Sequence, residues 1–367
     1  MSMPKHSQDC RYIYYFRRKD SSKELMDSLS TPKLLASVLL LASLCVRAEV
    51  DDVPLSPYYY DGTCPLAELI VKQTVEAVVY RDPRMAASLL RLHFHDCFVL
   101  GCDASVLLDD TDGIVSEKNA GPNKNSLRGF EVIDLIKGLL EAACPSTVSC
   151  ADILAMAARD AVHLRGGPTW KVYLGRKDSL KASLSEANKM IPAPNFTLDM
   201  LISNFQSHGL DVVDLVSLSG SHTIGRSRCV SFKGRIYGQD PVEPFEAYDH
   251  HRRYADFFRS LRSVCPPTGR DGVLVPLDSK TSRRFDNQYY RNLIRGHALL
   301  QSDDELASAA YAEEEAIARL VWAYAQDQRL FFRHYVSSII KMGTINVLTG
   351  GEGEVRKNCR YVNAYYH

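Results

Sequence analysis

The cysteines of this 367-residue chain constrain its fold more strongly than any other feature. Eight of the ten follow residue 48, and an even number of cysteines in a secreted chain predicts a framework of disulfide bonds, here four. Their spacing differs from that of zinc sites, and the count alone leaves on the order of a hundred pairings open. The eight are Cys64, Cys97, Cys102, Cys144, Cys150, Cys229, Cys265 and Cys359.

The expectation of secretion comes from an apolar run over residues 34–46, LLASVLLLASLCV, which follows Lys33. Aliphatic and small residues at Val46 and Ala48 complete the pattern of a signal peptide that is cleaved after Ala48. The run is too short to span a bilayer comfortably, and no other run is long enough, so we expect no membrane span in the mature protein. Residues 1–48 are therefore expected to be removed.

Residues 1–25 make the start of the chain longer than an ordinary signal peptide, and Met26 would be a conventional start. We interpret them as an upstream extension, with a cytosolic tail on an uncleaved anchor as the alternative. Residues 1–48 contain eight Lys or Arg against four Asp or Glu, so the neutral chain would carry a net charge of −4 after cleavage. Lys and Arg form no cluster that predicts nucleic-acid binding.

Most of the mature chain has the apolar spacing of α-helices. Strand patterns are limited to residues 170–174 and 228–236, so the fold class is predicted as mainly α, with two lobes and a site between them. A Pro192-Ala193-Pro194 turn separates the expected halves, residues 49–195 and 196–367, of one functional unit. The predicted helices cover residues 65–82, 83–98, 129–143, 151–164, 198–210, 211–220, 253–264, 286–296 and 312–341.

The segment RLHFHDCFVLGCDAS, residues 91–105, contains the densest set of chemically useful side chains. Arg91 and His95 are four residues apart on a predicted helix and share a face, so one can stabilise negative charge while the other moves a proton. Phe94 beside them could wall a cavity. Taken singly, these features also fit a buried histidine in an ordinary core.

Oxygen donors follow in a loop that a bond between Cys97 and Cys102 would tighten, and hard oxygen ligands on a rigid loop suit Ca²⁺. A solvated acidic loop is the plainer interpretation of the same residues. The candidate ligands are Asp96, Asp103, Ser105, the carbonyls of Val99 and Gly101, and, through water, Glu117.

Together these residues resemble the distal-site signature of plant secretory (class III) haem peroxidases, and VSLSGSHTIG around His222 resembles the proximal signature. The resemblance implies one haem b, with His222 as the axial ligand of its iron. Asp303 in LLQSDDEL would accept the other ring proton of His222, although spacing alone does not distinguish it from Asp304. Asn123 matches the family's partner of His95 and would keep that imidazole neutral and basic.

The resemblance extends over residues 58–359 and implies a second calcium ion on the proximal side. Its ligands would be Thr223, Asp278, Thr281 and Asp286, with a carbonyl from Arg284. Arg283 and Arg284 stand where the family more often has proline and a neutral residue, which would weaken binding of this ion. The disulfides implied are Cys64–Cys144, Cys97–Cys102, Cys150–Cys359 and Cys229–Cys265.

The activity implied is reduction of hydrogen peroxide with one-electron oxidation of small phenolic donors, by a monomer in the cell wall or apoplast. Pro192 matches the rim of the family's donor channel. Asn195 lies in the sequon Asn-Phe-Thr and is a candidate for glycosylation. Trp170 and an Asp152–Arg176 ion pair are structural matches.

Three other functions fit parts of the sequence: a non-catalytic secreted protein on the same fold, an intracellular peroxidase that uses ascorbate, and a calcium-dependent wall-adhesion protein. The complete set of site residues argues against the first. The signal segment and the eight cysteines argue against the second. The acidic net charge of the mature chain disfavours adhesion to an anionic wall polymer.

Overall fold

The computed structural model describes residues 54–238, 255–308 and 312–365. Within them the chain is mostly helical, which confirms the predicted fold class. The expected signal segment and upstream extension, residues 1–48, lie outside the described residues, and the division at residue 195 stays a prediction. No helix among the described residues is long and apolar enough to cross a membrane.

The helices of the first half surround the segment that carries Arg91 and His95. They agree with the predicted ones within a few residues, except that the short helix α5 was not predicted. The bounds are α1 Ala67–Arg81, α2 Met85–Cys97, α3 Phe130–Ala143, α4 Cys150–Leu164 and α5 Leu184–Met190.

The second half departs further from the prediction. The helix predicted over residues 312–341 is two helices, because the Asp327 carboxylate accepts the N–H groups of Arg329 (2.8 Å) and Leu330 (3.0 Å) and starts a new one. The bounds are α6 Leu198–Ser207, α7 Val212–Ser219, α8 Lys233–Tyr237, α9 Gln288–Ile294, α10 Gln301–Ser308, α11 Ala312–Gln326 and α12 Gln328–Met342, with a further helical segment over residues 255–264.

Strands are few, as expected, but they lie elsewhere. The described strands are β1, Arg226–Arg228, and β2, Leu274–Pro276, which pair antiparallel. Residues 229–236, predicted as strand, form a 3₁₀ turn and helix α8 instead. Residues 170–174 contribute a single bridge, in which Leu174 pairs with Ser56. Strands of three residues contain too little alternation of apolar and polar residues for their positions to be predicted from sequence.

The main core joins helices from both halves. Helix α2 packs along α4, α1 covers α4 from another side, and α7 packs against α12. Leu89 and Leu92 of α2 are fully buried in this core, as are Ile153 and Leu154 of α4. The site-bearing helix is therefore fixed by its buried face, and its remaining face is left for chemistry.

A buried carboxylate anchors the start of α4. Asp178 is fully buried, and its oxygens accept the N–H groups of Cys150 (3.1 Å) and Ala151 (2.9 Å) at the first turn of the helix. The same carboxylate accepts the N–H of Arg356 (2.9 Å), whose buried guanidinium donates to the carbonyls of Ala104 (3.0 Å) and other residues. One side chain thus joins α4 to the C-terminal segment, which in turn contacts the loop after α2.

A second buried carboxylate lies in the first turn of α4 itself. Asp152 accepts a bond from Arg176 Nη1 at 2.8 Å, which is the ion pair implied by the resemblance. It also accepts the phenol of Tyr60 (2.7 Å) and the N–H of Gly175 (2.7 Å). Full hydrogen bonding of this kind is what makes a buried charge tolerable.

Disulfide bonds connect the parts of the chain that are distant in sequence. The pairs are Cys64–Cys144, Cys97–Cys102, Cys150–Cys359 and Cys229–Cys265, as the resemblance implies. The third closes a loop of 209 residues beside Asp178, so the start of α4 is held both covalently and by hydrogen bonds.

Replacing Asp178 by alanine should lower the free energy of unfolding by at least about 3 kcal/mol, because each buried N–H left without an acceptor costs roughly 1–3 kcal/mol. Denaturant unfolding of the oxidised protein measures this. The control is Asp256→Ala, whose carboxylate is 91% exposed beside Arg259 and should matter by less than about 0.5 kcal/mol. Equal midpoints for the two variants would show that Asp178 is not the anchor described.

Candidate active site

Helix α2 presents Arg91 and His95 on one face, as predicted. Arg91 Nε donates to His95 Nε2 at 3.0 Å, and its terminal nitrogens donate to the carbonyls of Pro122 (2.9 Å) and Ser126 (3.2 Å). The guanidinium is therefore held in place by backbone acceptors and has no carboxylate among its hydrogen-bond partners. Its positive charge remains available to a group in the cavity.

The hydrogen bonds of Asn123 define which nitrogen of His95 carries the proton. Asn123 Nδ2 donates to the carbonyl of Glu117 at 2.8 Å, which turns its Oδ1 toward His95. His95 Nδ1 lies 2.5 Å from that Oδ1 and must be the donor. The lone pair of the neutral imidazole is then on Nε2, where it accepts the hydrogen bond from Arg91. A substrate proton can reach Nε2 only if it displaces or shares this hydrogen bond.

Burial lowers the pKa of His95 well below its ordinary value, and the charge of Arg91 lowers it further, while the bond to Asn123 acts in the opposite direction. His95 is thus a neutral base at ordinary pH. Burial, followed by repulsion from Arg228, lowers the pKa of Arg91 to about 10. Arg91 therefore stays charged while His95 does not.

Aromatic rings wall this side of the site. The ring of Phe94 meets that of His95 edge-on at 5.3 Å between centroids and contacts Phe98 at 4.5 Å. His208 stacks on Phe98 at 4.3 Å. Sequence reasoning did not single out His208, which lies beyond any motif in the turn that follows α6.

His222 lies on a 3₁₀ turn, Gly220–Thr223, after α7, and its Nδ1 is 2.7 Å from Asp303 Oδ1 on α10. The neighbouring Asp304 pairs instead with Arg235, at 3.2 Å. The choice that spacing left open between the two carboxylates is therefore resolved by geometry. Tyr289 of α9 also donates to Asp303 Oδ1 at 2.9 Å, a partner that no motif indicated.

Only glycine fits at position 220, because a Cβ there would lie 2.6 Å from the ring of Phe331. The turn that carries His222 can thus sit directly on the core. Burial would lower the pKa of His222, but attraction by Asp303 and the hydrogen bond that His222 donates to it outweigh burial and raise that pKa above its ordinary value. The pKa of His222 is therefore raised, whereas the pKa of His95 is lowered.

The two constellations share one site, since the charge of Arg91 reaches His222 and lowers its pKa. The side chain of His222 is 38% exposed although Asp303 is buried, and its Nε2 bonds to no described residue. An imidazole with one nitrogen fixed by a carboxylate and the other free is the donor arrangement of a haem-iron ligand. These residues fit a haem held at His222 with its other face toward His95.

The loop after α2 brings together the predicted oxygen ligands of the first calcium site. Asp96 Oδ1, Ser105 Oγ and Glu117 Oε2 are buried and bond to no described protein atom. Burial raises the pKa of Asp96, aided by repulsion from Asp103, and burial raises that of Glu117 to about 7. Buried carboxylate and hydroxyl oxygens without a hydrogen-bond partner fit a cation.

The backbone shape of this loop depends on Gly101. Its φ is +137°, and a Cβ there would lie 2.7 Å from Cβ of Asn346. Only glycine can therefore bring this backbone so close to Asn346. Val99 and Gly101 fall in the loop between Cys97 and Cys102, as predicted, and Gly101 O also accepts the N–H of Asp103 at 2.9 Å.

The predicted proximal calcium ligands also converge. Thr223 Oγ1 lies 3.4 Å from both Asp278 Oδ2 and Asp286 Oδ1, and Thr281 Oγ1 lies 3.1 and 3.0 Å from the same two atoms. The carbonyl of Arg284 is 3.5 Å from Thr223 Oγ1. No three His, Cys, Asp or Glu side chains in the described ranges form a metal cluster, so both sites depend on hydroxyls and carbonyls too.

The two arginines beside this site behave differently. Arg283 offers its carbonyl to Arg165 Nε at 2.7 Å. The guanidinium of Arg284 lies 3.7 Å from Asp286 Oδ2, although its side chain is largely exposed. Only Arg284 therefore competes directly for a candidate ligand.

The residues expected at the donor channel lie near the end of the first half. Pro192 is half-buried and Asn195 is exposed. The carbonyl of Pro194 accepts the N–H of Ser302 at 3.0 Å, which ties this turn to α10, the helix of Asp303. The exposure of Asn195 is compatible with a glycan.

Comparison with known proteins agrees with this site. Residues 71–327 match the peroxidase family. The chain is 60% identical to Peroxidase 20 of Arabidopsis thaliana over 310 residues, which are 84% of this chain and 91% of that protein. It is 54% identical to Peroxidase 9 (84% and 87% covered) and 48% identical to Peroxidase 49 (92% and 100% covered) of the same plant. The chain therefore belongs to the peroxidase family, as a plant-type haem peroxidase that reduces hydrogen peroxide.

Proposed function

We propose that this peroxidase is a secreted, monomeric enzyme that oxidises small phenolic donors, with haem b on His222 and two structural calcium ions. The observation that supports it best is the combination of a neutral, buried base, His95, with a carboxylate-bound imidazole, His222, close enough for the charge of Arg91 to act on both. Peroxide chemistry needs both: a group that moves a proton without carrying charge, and an anchored electron-rich ligand.

His95 moves the proton in this proposal. Its Nε2 gives up the bond to Arg91 and takes a proton from the peroxide oxygen that would lie nearer to the iron. His95 then returns this proton to the other peroxide oxygen, which leaves as water. Asn123 keeps Nδ1 protonated throughout, so the imidazole always offers the same nitrogen. Arg91 stabilises the negative charge that develops as the O–O bond breaks.

His222 and Asp303 hold the cofactor. When bound, haem would store the two oxidising equivalents that hydrogen peroxide supplies, and donors would consume them one at a time. Asp303 fixes the ring orientation of His222 and, as an anionic acceptor, increases the electron density on its free nitrogen. Tyr289 donates to the same carboxylate oxygen and thereby limits how much Asp303 can increase the electron density on His222.

The calcium ions have a structural role. The distal ion would bind Asp96, Val99, Gly101, Asp103, Ser105 and, through water, Glu117. Glu117 also bears the carbonyl that orients Asn123, so this ion would support the position of His95. The proximal ion would bind Thr223, Asp278, Thr281 and Asp286 next to His222.

Donors are expected to reach the haem edge beside Pro192, because Phe94 blocks the approach to the iron over His95. The channel accepts small aromatic molecules, and sequence and geometry do not favour one phenol over another. An extracellular site follows from the signal segment and agrees with the four disulfides, which persist in oxidising compartments.

Replacing His95 by leucine should slow peroxide reduction by at least about 10²–10⁴-fold, the usual contribution of general acid–base catalysis, while haem still binds. Stopped-flow spectroscopy of the Soret band with one equivalent of peroxide measures this. His163→Leu, on the exposed surface of α4, is the matched control and should react normally. Near-normal kinetics in haem-loaded His95→Leu would refute the assignment.

Substitutions at Asn123 should move the acid limb of the pH–rate profile in opposite directions. The bond from Asn123 raises the pKa of His95, so Asn123→Ala lowers that pKa and shifts the limb to lower pH. Loss of one hydrogen bond, about 0.5–1.5 kcal/mol, should also reduce the rate at neutral pH by up to about tenfold. Asn123→Asp adds a negative charge, raises the pKa and shifts the limb to higher pH. Shifts in the same direction would contradict the proposed tautomer.

Arg284→Ala should tighten binding of the weaker calcium ion by about two- to fivefold, since an exposed charge pair is worth up to about 1 kcal/mol. Calorimetric titration of the chelator-treated protein measures this. Arg283→Ala is the control, because only its carbonyl contacts another residue. If both variants bind calcium alike, competition by Arg284 is wrong.

A further inference from the structure

A line of aromatic rings leads away from His222 into the core. Tyr289 meets His222 at 6.2 Å between ring centroids, Tyr290 follows at 5.0 Å and Tyr324 at 5.1 Å. These rings touch edge to face, and none of the three tyrosines is more than 3% exposed. The line ends at His334 of α12, which is half-buried and 5.5 Å from Tyr324.

The four buried tyrosines near His222 differ in the acceptor of their phenol proton. Tyr289 donates to Asp303, Tyr290 to the carbonyl of Val216 (2.9 Å), and Tyr335 pairs with the hydroxyl of Ser221 (3.1 Å). Tyr324 lies 2.7 Å from Nδ1 of His334.

This difference matters because a tyrosine is far easier to oxidise when its proton can leave with the electron. A carbonyl or hydroxyl cannot keep that proton, and Asp303 could take it only by giving up its role toward His222. An imidazole takes a proton readily. Among these four, Tyr324 alone has a base that the proposed haem site does not need.

The surroundings of Tyr324 disfavour loss of the proton to water. Burial raises the pKa of Tyr324, and the carboxylates of Asp211 and Asp214 raise it further. If the phenol proton of Tyr324 moves along its hydrogen bond to His334 when the electron leaves, no charged tyrosine remains in the core.

We propose that Tyr324, remote from the haem, forms a neutral tyrosyl radical, and that phenolic groups too bulky to enter the donor channel are oxidised by it at the surface beside the half-buried His334. The proposal rests on haem being bound at His222. One electron passes from the Tyr324 ring through Tyr290 and Tyr289 to the haem oxidised by peroxide, and the phenol proton moves to His334 Nδ1. A surface donor then returns one electron, His334 returns the proton, and the donor releases its own proton to water.

The first test is electron paramagnetic resonance of haem-loaded protein frozen after one equivalent of peroxide, without donor. We expect a tyrosyl signal that narrows with ring-deuterated tyrosine, is lost in Tyr324→Phe, and is lost in His334→Gln, which keeps a hydrogen-bond acceptor but no base. Tyr80→Phe, at a tyrosine 88% exposed on α1, is the control and should keep the signal. A signal that survives in Tyr324→Phe, or that only Tyr289→Phe removes, overturns the proposal.

The second test compares a free small phenol with the same phenol coupled to a dextran too large for the channel. Tyr324→Phe and His334→Gln should lose oxidation of the coupled phenol and keep oxidation of the free one at the normal rate. The free phenol reports the proposed haem function separately, because its oxidation does not need Tyr324. Oxidation of the coupled phenol at the normal rate in Tyr324→Phe refutes a surface role.

Discussion

The carboxylate of Asp178 at the start of α4 is the interaction on which the rest of the site depends. It satisfies the first N–H groups of the helix and binds the backbone of Arg356, whose guanidinium reaches Ala104 in the loop after α2. Because α2 packs along α4, the positions of Arg91 and His95 depend on this buried charge. Asp152, in the same first turn, adds a second such anchor through Arg176. The helix that carries Arg91 and His95 thus packs on a helix whose first turn is held in place.

Two histidines perform different tasks here because their surroundings differ. His95 has an amide on one nitrogen and a guanidinium on the other, which with burial keeps it neutral. His222 has a carboxylate, which gives it more basic character. The same side chain therefore serves as a mobile base on one side of the cavity and as a fixed ligand on the other.

Sequence was sufficient where the pattern is long or the motif is dense. The helices of the first half other than α5 follow from apolar spacing, and the facing of Arg91 and His95 follows from their separation of four residues. The distal oxygen ligands follow from the density of donors in one loop, and the remaining site residues came from the family resemblance. Helix α10 was missed because QSDDELAS has no apolar stripe, and its Asp303 is buried only through its partners. The break between α11 and α12 was missed because Asp327 fits a continuous helical pattern as an ordinary exposed aspartate. The contact of Tyr289 with Asp303 joins two helices whose meeting no local pattern reports.

The covalent link beside Asp178 has a consequence for how the protein is made. Cys150 must wait for Cys359, which the ribosome adds 209 residues later, and Arg356 arrives only just before it. Until then the first turn of α4 lacks its disulfide, and Asp178 lacks one of its hydrogen-bond donors. The nascent chain therefore cannot complete this frame until residue 359 has been added. Its maturation is a late event, in which oxidation of one pair of thiols completes the frame that the active site needs.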